Sequence, residues 1–205
     1  MRSFLFFLGG LITGVIVLVG GGYAAFQYYV HNAGEYRAEW LPDFNEELFE
    51  SAAELAAAES EYERWVAVGD VGLWNVDAGD LDKAKSFAYE ALTIAEKYKG
   101  DWNYGNAVHK GHLTLGRIAL RENNILAANK QLAPAGNTPG PPQLNSFGPN
   151  MVLAKELLEK GEREAVLEYF DACEKFWNSE FSELDEWKEQ VQSGDMPRFG
   201  ANLIY

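Results

Sequence analysis

An uncharged segment near the start of the chain, residues 3–30, constrains the fold more than any other feature of the sequence. From Phe4 to Val30 it reads FLFFLGGLITGVIVLVGGGYAAFQYYV and contains no Asp, Glu, Lys or Arg. As a helix at about 1.5 Å per residue it reaches roughly 40 Å, more than the roughly 30 Å hydrocarbon core of a bilayer. We therefore expect residues 1–32 to form a single transmembrane anchor.

A cleaved secretory signal is the alternative interpretation of this segment. Met1-Arg2 supplies a minimal positive region, and Gly22-Tyr23-Ala24 has the small-x-small form of a cleavage site. Both interpretations export the residues that follow. The short positive start favours an N-terminus inside the cell. The sequence thus predicts a single-pass protein of the bacterial cytoplasmic membrane with a periplasmic or otherwise extracytoplasmic C-terminal domain.

Small residues recur along the uncharged segment at helical spacing. At i, i+4, i+7, i+11 and i+14 they share one helical face and are Gly10, Gly14, Val17, Gly21 and Ala24. Small side chains allow another membrane helix to approach closely. We expect this face to contact another membrane subunit or a second copy, with membrane lipid around the rest, although glycine is also common in membrane spans that make no such contact.

The charge of the chain excludes one class of partner. With 31 Asp+Glu against 17 Lys+Arg the formal net charge is −14. Nucleic acid is excluded because phosphate recognition needs clustered basic residues. Ten acids and two bases lie between Glu35 and Arg64, so residues 33–64 are predicted to form an acidic helical stalk.

No sequence motif specifies chemistry. The single cysteine, Cys173, permits no internal disulfide. No phosphate-binding, dinucleotide-binding or nucleophile-elbow motif is present, so we expect no enzyme activity and no cofactor.

The residues after the uncharged segment have the pattern of α-helices. Asp43 is a potential N-cap with Glu46 three residues later, and apolar residues recur at helical spacing through Trp65 to about Gly69. Strand patterns are nearly absent. We therefore expect an all-α fold, in which a single transmembrane helix is followed by a domain of α-helical hairpins over residues 65–195.

Fixed offsets between small residues indicate an internal repeat. One set of three recurs 44 residues later and again 38 residues after that. The sets are Gly72, Ala84 and Ala91; Gly116, Ala128 and Ala135; and Ala154, Val166 and Cys173. A turn sequence separates the first and second members of each set, so each unit is predicted to be a helical hairpin whose helices cross closely at the small residues.

These units resemble the tetratricopeptide repeat, whose pattern is Leu-Gly in the first helix, then Ala, an aromatic residue four later, and Ala three after that. The corresponding residues are Val71-Gly72, Ala84, Ala88 and Ala91; Leu115-Gly116, Ala128, Leu132 and Ala135; and Leu153-Ala154, Val166, Phe170 and Cys173. The resemblance covers about residues 65–178, with spacings longer than the family's roughly 34 residues. It implies a binding scaffold without chemistry of its own.

Five of the seven prolines fall in residues 133–149, which the sequence predicts to be a loop and not a helix because proline removes backbone donors. Loops of this length are often functional. One interpretation is an arm that contacts a partner through Pro141, Pro142 and Phe147. The other is a strap across the chain's own hairpins, with Leu144 and Phe147 filling their groove.

A last helix is predicted from about Ser182 to a glycine stop at Gly194, where it would cap the repeat array. A tail over residues 196–205 follows. Its apolar residues either pack on the domain or bind a partner, and they are Phe199, Leu203 and Tyr205.

Two further groups of residues have alternative interpretations. His109 and His112 lie at i, i+3 and could present two imidazoles to a metal, but no further ligands accompany them, so we predict no metal site and expect packing roles. Aromatic residues could line a peptide or glycan groove or belong to the core. They are Trp65, Trp74, Trp102, Trp177 and Trp187, with Tyr62 and Tyr104.

These features together predict a membrane-anchored scaffold or accessory subunit that binds and stabilises a membrane protein complex. Whether that complex is photosynthetic, respiratory or part of the envelope is left open. The alternative is a periplasmic module that binds peptides or glycans through an aromatic groove.

The predicted topology can be tested with protease. If the domain lies outside the cytoplasmic membrane, protease added to intact spheroplasts removes it while a cytoplasmic marker stays intact. Full protection of the domain would contradict the predicted orientation.

Overall fold

Nine α-helices and no strand occupy residues 44–178 and 182–204, the part of the chain that the computed structural model describes. The helices are α1 (Phe44–Ala57), α2 (Glu61–Asp77), α3 (Leu81–Ala95), α4 (Tyr104–Arg121), α5 (Ile125–Gly136), α6 (Pro142–Phe147), α7 (Val152–Leu158), α8 (Arg163–Cys173) and α9 (Leu184–Ser193). Short 3₁₀ helices span Glu96–Tyr98 and Gly200–Leu203. The all-α prediction is confirmed for these residues.

The predicted transmembrane anchor, residues 1–32, lies outside the described residues. Among the helices that are described, none combines the length and the apolarity needed to cross a bilayer.

Three helical hairpins, α2–α3, α4–α5 and α7–α8, occur where the small-residue offsets predict them. Each turn contains one residue with positive φ, and these residues are Gly79 (78°), Asn123 (59°) and Gly161 (88°). Each turn is also closed by the same bond between residues five apart, donated by Asp80 to Asn75, by Asn124 to Ala119 and by Glu162 to Leu157 at 2.8 to 3.0 Å. This is the 6→1 bond of a Schellman motif, which satisfies an orphan helical carbonyl. The turns therefore repeat at the same offsets, 44 and 38, as the small residues.

The small residues of the three sets lie buried between contacting helices. Every alanine, valine and cysteine of the three sets is fully buried, with no measurable exposure. In the second hairpin, a Cβ added at Gly116 would overlap the side chain of Leu153 in α7 and lie 3.2 Å from the Cβ of Gln131. In the first hairpin, a Cβ added at Gly72 would lie at an ordinary contact distance, 3.4 Å, from the Cβ of Phe87.

The hairpins stack through both of their helices. Along the first helices, α2 contacts α4 and α4 contacts α7, while the second helices α5 and α8 contact each other. The largest cluster of buried apolar residues extends from Leu73 in α2 to Phe199 and includes residues of α4, α5, α7, α8 and α9.

The predicted continuous helix from Asp43 to about Gly69 is wrong, because α1 ends at Ala57 and α2 begins at Glu61. The break is fixed at Ser60, whose hydroxyl accepts a hydrogen bond from the Glu63 N–H at 3.1 Å. The Glu63 carboxylate accepts in return from the Ser60 N–H at 3.2 Å. This reciprocal capping box starts a new helix, and α1 packs against α2.

The prediction of a helix-free segment over residues 133–149 is also wrong. Helix α5 continues through Pro134 to Gly136, and α6 begins at Pro142. Proline fits both places because the first turn of a helix needs no backbone donor, and the loss of one donor near a helix end breaks a single bond.

The final helix is confirmed, since Leu184, Trp187 and Val191 of α9 are buried and Gly194 ends it with φ of 98°. The tail then crosses back over the third hairpin. The ring of Phe199 lies 5.0 Å from the Trp187 ring between centroids. Asn202 donates to the carbonyls of Phe147 and Pro149 and accepts from the N–H of Met151, at 2.6 to 3.0 Å.

Substitution of Gly116 tests the close approach of the hairpins. Gly116→Val should lower the free energy of unfolding by about 2 kcal/mol, because the new side chain has no space beside Leu153. Gly100→Val is the matched control, since nothing lies within 4 Å of a Cβ there, and it should change stability by less than about 0.5 kcal/mol. Urea unfolding of the full chain in mild detergent, followed by tryptophan fluorescence, measures both; equal effects would contradict the packing.

Candidate interaction surface

A groove of about 500 Å³ lies between α1 and the first hairpin. Its volume is in the range of ligand and peptide pockets. Most of the residues that line it are apolar, and the full set is Leu48, Ala52, Leu55, Ala56, Arg64, Val71, Asn75, Lys83 and Phe87. We refer to these residues as the α1 groove.

The sequence of α1 explains why this space is open. Leu48, Ala52, Leu55 and Ala56 share one helical face, which the break at Ser60 turns back against α2. Two of these four side chains are single methyl groups, which are too short to fill the gap. The helix therefore covers the first hairpin without filling the groove.

The polar residues of the α1 groove are an amide and two cations. Asn75 is buried and donates to the carbonyl of Val71 at 2.7 Å. Arg64 pairs with Glu90 through its Nε and Nη2, and Lys83 pairs with Asp80, the N-cap of α3. No acidic residue lines the groove, although the chain as a whole carries a net charge of −14.

Of the candidate contact residues of the proline-rich segment, some are buried and others are exposed. Pro141 is buried against Gly105, where an added Cβ would overlap its ring. Leu144 is also buried, whereas Pro142 is exposed and Phe147 is 42 % exposed. Asn106 donates to the side chain of Gln143 at 3.1 Å. This packing favours the strap interpretation over the free arm.

The structure describes most of the tail but not the transmembrane face. Phe199 is buried in the core and Leu203 is partly buried against it, which favours self-packing of the tail. Tyr205 and the small-residue face, Gly10, Gly14, Val17, Gly21 and Ala24, lie outside the described residues.

His109 is committed to internal hydrogen bonds at both ring nitrogens. Its Nδ1 lies 2.8 Å from the carbonyl oxygen of Ala135, and its Nε2 accepts from the N–H of Asn150 at 3.0 Å. Because a carbonyl can only accept, Nδ1 carries the proton and the ring is neutral. Burial lowers the pKa of His109 to about 4. The imidazole therefore joins the end of α5 to the start of α7.

His112 and the other buried titratable groups have structural partners too. His112 bonds to the Gln131 side chain at 2.8 Å, and burial lowers its pKa. Tyr169 donates to the carbonyl of Asn150 at 2.9 Å. Burial raises the pKa of the Cys173 thiol, which keeps it protonated and unreactive. No cluster of three potential metal ligands occurs within residues 44–178 and 182–204.

Arg117 is a buried group that the sequence analysis did not identify. Only 4 % of its side chain is exposed, and it donates to both carboxylate oxygens of Asp77 at 2.6 and 3.0 Å. It also donates to Glu156 at 3.0 and 3.2 Å, and Arg121 binds the same carboxylate. A single guanidinium therefore ties α2, α4 and α7 together. Arg117 follows Leu113 by four residues and so lies on the same face of α4. This spacing was the one sequence signal for its burial.

The tryptophans do not form an aromatic groove among the described residues. Trp65, Trp177 and Trp187 are at most 2 % exposed, and Trp74 is half-buried. Trp102 is 51 % exposed but does not line the α1 groove, whose one aromatic lining residue is Phe87.

Comparison with known protein families, with curated proteins and with solved structures found no match to this chain.

The buried neutral imidazole predicts a specific dependence of stability on pH. Because the pKa of His109 falls from 6.5 in the unfolded chain to about 4 in the folded one, its contribution is complete above pH 6.5 and is lost as the pH falls toward 4. The expected loss is about 3 kcal/mol of unfolding free energy. Urea unfolding between pH 7 and pH 4 measures it. His109→Gln should flatten the profile, whereas His112→Gln should keep most of it; an unchanged profile in His109→Gln would contradict the assignment.

Proposed function

We propose that the protein is a non-catalytic, membrane-anchored scaffold or accessory subunit that binds and stabilises a multi-subunit membrane protein complex. The observation that carries the proposal is the stack of three hairpins with equivalent turns, tied together by Arg117. Such an array presents an extended, rigid surface, which is how helical repeat proteins bind partners. The tetratricopeptide-like pattern of residues 65–178 supports the same function.

The environment of the reactive side chains supports a binding role. His109, Tyr169 and Cys173 are fully buried, and the two hydrogen-bonding atoms of His109 and the hydroxyl of Tyr169 are used within the fold. General acid–base or nucleophilic catalysis needs such groups to reach a substrate. The α1 groove contains an amide and two cations but no candidate base of this kind.

The location at a membrane rests on the sequence of residues 3–30. In the sequence, an acidic stretch from Glu35 to Arg64 follows this segment. A scaffold attached in this way would meet its partners both within the bilayer and beyond it.

Purification from native membranes in mild detergent tests the proposal. The tagged chain should be recovered in a complex of constant stoichiometry, and a lone monomer would contradict the function.

If the small-residue face contacts a partner, Gly10→Leu with Gly21→Leu should reduce recovery of the complex several-fold. Gly9→Leu with Gly20→Leu is the matched control, since it makes the same changes eleven residues apart on a neighbouring face.

A further inference from the structure

We infer that the α1 groove binds a short, extended peptide segment of a partner protein, one that carries apolar side chains and at least one carboxylate. The inference rests on the proposed scaffold function and names the chemistry of its partner. Four features of the groove support it: its length, its apolar walls, its buried amide and the sign of its charges.

The dimensions of the α1 groove fit an extended segment. Arg64 and Asn75 are eleven residues apart on α2, which places them roughly 16 Å apart along the helix axis. About five extended residues span this length at roughly 3.3 Å each. A helix of the same length, about 10 Å across with its side chains, encloses more than twice the groove's volume of about 500 Å³.

The lining of the groove provides both parts of peptide recognition. Leu48, Leu55, Val71 and Phe87 offer apolar contacts for side chains. The amide of Asn75 has two N–H donors and an acceptor oxygen, and its bond to Val71 uses one donor. It can therefore pair with the main chain of a bound segment, whose polar groups need partners once they leave water.

The charges at the two ends of the groove determine which peptide fits. The guanidinium of Arg64 has five N–H donors and its bonds to Glu90 use two, while Lys83 has three and its bond to Asp80 uses one. The remaining donors can bind a carboxylate at either end. An acidic segment would be repelled by most of this acidic chain, whereas at the groove Arg64 and Lys83 offer unused donors beside their own partners, Glu90 and Asp80.

Panning of a random peptide library on the full chain in mild detergent provides a probe. Displayed peptides of about seven residues are long enough to span the groove. The enriched sequences should combine apolar residues with Asp or Glu, and their labelled synthetic forms should bind more weakly as salt increases. Absence of enrichment, or enrichment of basic sequences, would overturn the inference.

Variants of α1 show whether such peptides occupy the groove. Ala52→Leu with Ala56→Leu fills the space and should weaken binding by about tenfold or more. Ala53→Leu with Ala57→Leu makes the same changes at exposed positions of α1 that do not line the groove, and binding should be unchanged. Equal binding by both variants would overturn the inference. A lower oligomeric state in the filled variant alone would instead identify a second copy as the occupant.

A charge reversal tests the acidic part of the assignment. Lys83→Glu should weaken binding by about fivefold. Lys85→Glu, on the same helix but outside the groove, should leave it unchanged apart from a small long-range effect. Equal effects of the two reversals would contradict a local carboxylate contact.

The native complex separates the two proposals. If the chain with Ala52→Leu and Ala56→Leu is recovered with the same complex as the unaltered chain, the scaffold function stands and the groove is not its contact. If the unaltered chain is a lone monomer, the scaffold function fails, whatever peptides the groove binds.

Discussion

The stack of hairpins depends on small residues at the contacts between its helices. At Gly116 even a methyl group has no room beside Leu153, and the corresponding residues of the other hairpins are no larger than valine. Close approach maximises dispersion contacts between the helices. It also requires the chain to reverse sharply, which Gly79, Asn123 and Gly161 permit with positive φ. Packing and turn chemistry are therefore two parts of one constraint.

Buried polar groups then determine how the hairpins align with one another. The bonds of His109 connect α4 to the end of α5 and to the start of α7, and Arg117 connects three helices through two carboxylates. Apolar packing alone tolerates small shifts along a helix axis, whereas an unpaired buried charge or imidazole is costly. These contacts penalise any other register. The buried polar contacts therefore fix the register of the hairpins more precisely than apolar packing alone would.

The sequence predicted the hairpins well because their determinants are local. Small residues at fixed offsets and a turn between them are visible without any knowledge of tertiary contacts. Arg117 was missed because Asp77 and Glu156 lie 40 and 39 residues away, and a charged residue is normally assigned to the surface. The break before α2 was detectable, since Ser60 and Glu63 have capping-box spacing. The α1 groove was not detectable from the sequence, because its volume depends on how α1 packs against α2.

The contacts of Asn202 have a consequence for biosynthesis. Asn202 bonds to the N–H of Met151 and to the carbonyls of Phe147 and Pro149, more than fifty positions earlier in the chain. As the protein emerges from the ribosome or a translocon, the two helices of each of the first two hairpins can pair before the tail is made. The N–H of Met151, at the start of α7, can bond to Asn202 only after the tail has been made. The third hairpin is thus the last to complete, and a chain that stops before Asn202 leaves it open to quality-control proteases.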